Sequence, residues 1–152
     1  MLNHYLYRQD WTAVLQLLNQ TLHAEEMVCS MSTQLFHIPA AANIKGNAEM
    51  HNHLVPASYH RVTAAGSALR LRNGETHASI IQTLTSCVNN ALRQDQEVMK
   101  GLRIMRDNAP NPFRSTIEII IRWQQQAEQS LTSAKQLLTQ MGFETQDQYQ
   151  SQ

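Results

Sequence analysis

Apolar residues in the first quarter of the chain recur at Trp11, Val14, Leu15, Leu18, Leu22, Val28, Met31 and Leu35, the spacing of an amphipathic helix with one face turned to a core. At the middle of that face, where the pattern asks for another apolar residue, stands Glu25, with Glu26 beside it. A carboxylate in a buried stripe must be paired, hydrogen-bonded, metal-bound or protonated, because leaving it bare costs several kcal/mol. Whatever fold this chain adopts has to supply something opposite Glu25.

Three further helical stripes follow. Asp10 stands where an N-cap would precede Trp11, and the first helix runs to about Phe36, where His37-Ile38-Pro39 breaks it. A second helical stretch covers Ala48 to Leu71, with Tyr59, Val62, Gly66 and Leu69 expected on its core face. Within it Pro56 either kinks one long helix or divides a short helix from a longer one. Asn73-Gly74-Glu75 is a stop, with Gly74 suited to a left-handed C-cap. The third helix begins near Thr76 and carries Ile80, Leu84, Val88, Ala91, Val98, Leu102 and Met105, until Asn108-Ala109-Pro110-Asn111-Pro112 ends it. The fourth runs from Phe113 through Ile117, Ile120, Ala127, Leu131, Ala134 and Leu138 to Met141, with Gly142 placed to close it.

Four amphipathic helices joined mostly by short connections predict an all-α four-helix bundle over residues 1–152, with 143–152 a frayed polar tail. Gly and Pro together number nine, which favours long helices over a turn-rich β fold. Each stripe carries a polar residue near its midpoint: Glu25, then Tyr59 or His60, then Asp95, then Gln124. In helices aligned end to end, midpoints share a level, so these side chains are expected to form one polar layer. His23 and Glu26 are three residues apart, and a hairpin centred near residue 41 brings His60 opposite them. A cluster of Glu25, His23, Glu26, His60 and Asp95 suits iron or another divalent metal. The alternative is a hydrogen-bonded layer that fixes helix register and holds no metal.

Other function classes find no support in the residues. Twelve basic and twelve acidic side chains cancel, leaving no electrostatic footprint for nucleic acid or an anionic membrane. No apolar run approaches the roughly 20 residues that span a bilayer, and the start lacks the layout of a secretory signal, so a cytoplasmic protein is expected. Cys29 and Cys87 lack a CxxC context and are expected to be reduced. His51 and His53 with Glu49 point to different helix faces and read as solvated surface, and the methionines read as core filling. No P-loop, GxSxG, GxGxxG, HExxH or EF-hand pattern occurs.

The segment Leu18-Asn19 through Leu22, Glu25 and Val28 resembles the first helix of bacterioferritins, in which a leucine-asparagine pair precedes the first iron-ligating glutamate; Leu137 to Gly142 is similar to the close of that family's fourth helix. The resemblance implies a ferritin-like bundle, an oligomer, and Glu25 as an iron ligand. It departs elsewhere. Ferritin-like di-iron sites take Glu-x-x-His from each of two helices and a single Glu from each of the others. Here Ser58 and Arg61 fall on the second-helix motif, Tyr59 on the haem-binding methionine, Gln124 and Ala127 on the fourth-helix motif, and Ala91, one turn before Asp95, on the third-helix glutamate. The link at 73–76 is also short for the long crossover of ferritins, which keeps a simple up-down-up-down order in play. The expectation is a non-enzymatic ferritin-like protein with a remodelled metal layer, or an interaction bundle whose polar layer is structural.

Overall fold

The computed structural model describes residues 4–143, and the tail expected to fray lies outside them from residue 144 onward. The described residues are all-helical, with no strand. They form α1 (His4–Phe36), the single turn α2 (Pro39–Ala42), α3 (Asn47–Arg72), α4 (Ala78–Asn108) and α5 (Asn111–Gln140). The long helices end where backbone chemistry requires. Gly74 and Gly142 take left-handed φ angles of 100° and 92°, and the amides of Glu75 and Phe143 reach back to the carbonyls of Arg70 and Leu138 at 3.0 and 2.9 Å. Pro110 precedes α5, and Pro112 stands in its first turn, where a missing amide costs nothing.

Pro56 lies inside one continuous helix. The carbonyl that loses its donor belongs to exposed Asn52, where water can take the hydrogen bond.

Each long helix packs against two others: α1 lies between α3 and α5, and α4 lies between α3 and α5. Successive long helices run antiparallel: Trp11 at the start of α1 clusters with Leu71 at the end of α3, Ile80 at the start of α4 and Leu138 at the end of α5, while Leu35, Met50, Met105 and Ile117 from the opposite ends cluster together. The end of α4 approaches the start of α3 closely, since a methyl group at Gly101 would lie 2.8 Å from Met50 Cβ and one at Gly46 2.6 Å from the Gly101 carbonyl. Two apolar clusters fill the interior. One holds Trp11, Leu18, Ala68, Leu84 and Leu131; the other holds Val28, Leu54, Val98, Leu102 and Ile117. Each fully buried Leu or Ile side chain contributes about 1.5–3 kcal/mol. Between the clusters lies the level of Glu25, Arg61, Asp95 and Gln124.

The expected core face of α3 is overturned. Tyr59, Val62 and Leu69 are exposed, and Ala57, Ala64, Ala68 and Leu71 face inward instead. The small inner residues let α3 sit close to α1 and α4, which a row of Tyr and Leu at that spacing would prevent.

Candidate functional site

Arg61 is the largest fully buried side chain among the described residues, with 0% of its surface exposed. It projects from the middle of α3 into the level between the two apolar clusters. Its Nη1 donates to Glu25 Oε2 at 2.6 Å and to Asp95 Oδ1 at 2.8 Å, and its Nη2 donates to Asp95 Oδ2 at 2.5 Å. The contact with Asp95 is thus a two-pronged fork, the geometry in which a guanidinium binds a carboxylate best. Nε donates to Thr21 Oγ1 at 2.9 Å, and that hydroxyl donates onward to the Ala127 carbonyl at 2.6 Å. Thr21 and Glu25, one turn apart on α1, therefore share one arginine from α3, while α4 supplies Asp95 and α5 supplies a backbone oxygen.

Helix periodicity explains the selection. On α1, positions 18, 21, 25 and 28 share the buried face. On α3, Arg61 stands in line with Leu54, Ala57, Ala64 and Ala68. His60, one residue earlier, is rotated by about 100° away from that line.

The layer holds one permanent cation and two carboxyl groups. Burial opposes the charge on Arg61, but Asp95 and Glu25 outweigh it and raise the guanidinium pKa further. Burial pushes the Glu25 carboxyl up, with Arg61 and a Ser58 hydroxyl pulling it back and Asp95 adding to the rise. Asp95 is likewise raised by burial against the pull of Arg61. Gln124 lies against Asp95 and favours its ionised form, yet neither amide atom reaches a partner in good hydrogen-bond geometry; we read the contact as a loose dipolar one. The surplus negative charge is felt on α5, where burial, helped by Asp95, pushes Glu128 up to about 7 despite Arg61 and Arg103.

Of the five residues expected at a metal centre, the structure brings Glu25 and Asp95 together, with Arg61 between them. His23 is exposed and meets the edge of the Trp123 ring at 6.0 Å, and Glu26 is exposed beside it. His60 is half-buried on the outer seam of α3 and α4, in a shallow groove it shares with His53, Arg93 and Glu97. None of these three reaches the layer. No group of three or more His, Cys, Asp or Glu able to hold a metal occurs among the described residues. A divalent cation bridging Glu25 and Asp95 would need the position that Arg61 Nη1 already takes, so these residues do not fit one. The thiols do not supply a nucleophile either: burial pushes Cys29 up to about 11 and raises Cys87.

Sequence reasoning placed Arg61 on a ligand position of the ferritin motif without seeing it as the partner of Glu25. The available signal was charge: Arg61 is the single Asp, Glu, Lys or Arg between Met50 and Leu69, at the level where two buried carboxylates need a cation. In comparison with known proteins, no family model, curated protein or solved structure matches this chain.

Proposed function

We propose that this protein is a non-enzymatic four-helix bundle, up-down-up-down in connection, that works through its surface as an interaction module. The observation that carries the reading is Arg61 held between Glu25 and Asp95. A guanidinium has no accessible protonation change near neutral pH, no lone pair to offer a metal, and here no open face toward a substrate. What it can do is lock register. Sliding or rotating α3 by one residue would strand two buried carboxylates, a penalty that disfavours every other pairing of the helices.

The ferritin-like reading enters this proposal as a remodelled site. The arginine stands on a second-helix ligand position of the bacterioferritin motif and supplies positive charge in the place of a metal. The short link at 73–77 supports the simple connection over a long crossover.

The test has two arms. Protein purified without a metal-affinity tag is analysed for metal before and after incubation with ferrous iron and with zinc, and no stoichiometric uptake is expected. In parallel, the triple variant Glu25→Leu, Arg61→Met, Asp95→Leu should fold and be neutral to about 1–4 kcal/mol more stable, as apolar replacements of buried ion clusters are. Stoichiometric metal that vanishes in Glu25→Ala would overturn the reading.

A further inference from the structure

The outer face of α3 carries Val55, Tyr59, Val62, Gly66 and Leu69, which alternate in steps of four and three residues. This is the heptad spacing of a helix that packs along another helix. At 3.6 residues per turn the five positions fall within an arc of roughly 80°. Val55 is 72% exposed, Tyr59 67%, Val62 58% and Leu69 40%. Scattered exposed apolar residues need no explanation, but a continuous stripe along one helix does.

Two more observations mark this face. Apart from buried Arg61, no charged residue lies between Met50 and Leu69, so some five turns of surface helix lack the charges that normally solvate one. Gly66, meanwhile, sits mid-helix, where glycine is unfavourable, and nothing in the chain lies within 4 Å of where its Cβ would be. Gly101 is required by the packing of Met50 against it. Gly66 answers to nothing inside this molecule, and a close approach from outside would account for it.

We propose that this face pairs with the same face of a second copy of the chain, the two α3 helices antiparallel about a two-fold axis near Val62. The proposal rests on the interaction-module reading and names its partner. The stripe is self-complementary in that arrangement. Val55 and Leu69 are equidistant from Val62 and come opposite one another, while Tyr59 of each copy comes over Gly66 of the other, bulk into hollow. A parallel pair in the same register would instead set Tyr59 against Tyr59 and Gly66 against Gly66. Phe36, 47% exposed and in edge contact with the His51 ring, extends the apolar surface beyond the stripe at both ends of the two-fold arrangement.

The experiment is light scattering on the full chain across a roughly hundredfold concentration range, with Val62→Glu alongside. The wild type should pass from monomer to dimer by mass action. Val62→Glu should weaken dimerisation by about a hundredfold or more, because two carboxylates then meet at the axis, with an unchanged helical circular-dichroism spectrum. As a second readout, in a Cys29→Ser, Cys87→Ala background, a mixture of Val55→Cys and Leu69→Cys proteins should cross-link to each other, whereas Val55→Cys alone should not. A wild type that stays monomeric at every concentration, or a dimer that Val62→Glu leaves intact, overturns the self-pairing and leaves the interaction module standing. A dimer that dissociates on chelation overturns both.

Discussion

The two faces of α3 carry residue types in the reverse of the usual order. Its inner face presents Ala57, Ala64, Ala68 and a charged Arg61 to the core, and its outer face presents Val55, Tyr59, Val62 and Leu69 to solvent. On α4 and α5 the larger apolar residues, among them Leu84, Leu102, Ile117 and Leu131, face inward. Burial on these helices is decided by what the space admits. A helix that must deliver a guanidinium to the middle of the core, and approach α1 and α4 closely while doing so, needs small neighbours around that guanidinium. Near the guanidinium the large residues Val55, Tyr59 and Val62 are then left for the other side, where they can serve a second surface.

Adjacent residues on the two faces give the sharpest contrast. Arg61→Ala leaves Glu25 and Asp95 buried without their cation and should cost about 3–5 kcal/mol, whereas Val62→Ala should change the stability of the dilute protein by no more than about 0.5 kcal/mol. Urea unfolding of both variants at low concentration checks this, and equal losses would break the distinction between the faces.

The glycines make a second pair. Gly101→Ala should destabilise by about 1–3 kcal/mol, since its methyl would meet Met50 Cβ at 2.8 Å. Gly66→Ala should instead stabilise the dilute protein by about 0.5–1 kcal/mol by removing glycine's backbone freedom, and a destabilised Gly66→Ala would mean the outer face is packed within the monomer.

The smallest expected effect concerns the charge surplus of the inner layer. Burial, with Asp95 nearby, pushes the Glu128 carboxyl up to about 7, and burial raises Glu25 and Asp95 in the same direction. The folded state therefore holds protons that the unfolded chain has released. The stability this contributes is complete below the unfolded value and is lost as pH rises through about 7. For the half-buried Glu128, solvent screening reduces the loss to on the order of 1 kcal/mol or less. His51 and His60, lowered by burial, act oppositely, since their charging as pH falls costs stability. The measurement is therefore the difference between wild type and Glu128→Gln in unfolding free energy from pH 5 to pH 8; a difference that does not change with pH would remove Glu128 from the coupling.

Much of the fold is legible along the chain because its determinants are local. Gly74, Gly142 and the prolines around residue 110 terminate helices through their own backbone restrictions, and the stripes of α1, α4 and α5 each have one face apolar enough to identify the core. The midpoints of Glu25, Asp95 and Gln124 could be assigned to one level for the same reason. α3 was harder because two of its faces have a helical period. The stripe at Tyr59, Val62 and Leu69 is the more hydrophobic, and it points outward. With that face taken as the core, His60 stands at the midpoint in place of Arg61, which lies one residue and about 100° away.

An all-helical chain with two carboxylates set into its buried stripes thus follows from local patterning, since helix period and backbone breakers act over a few neighbouring residues. That a guanidinium answers those carboxylates, and which face of α3 turns inward, are settled by packing in three dimensions. Those outcomes depend on the fit of three helices around one side chain, and that fit depends on distances between residues that are 34 to 40 positions apart in the chain.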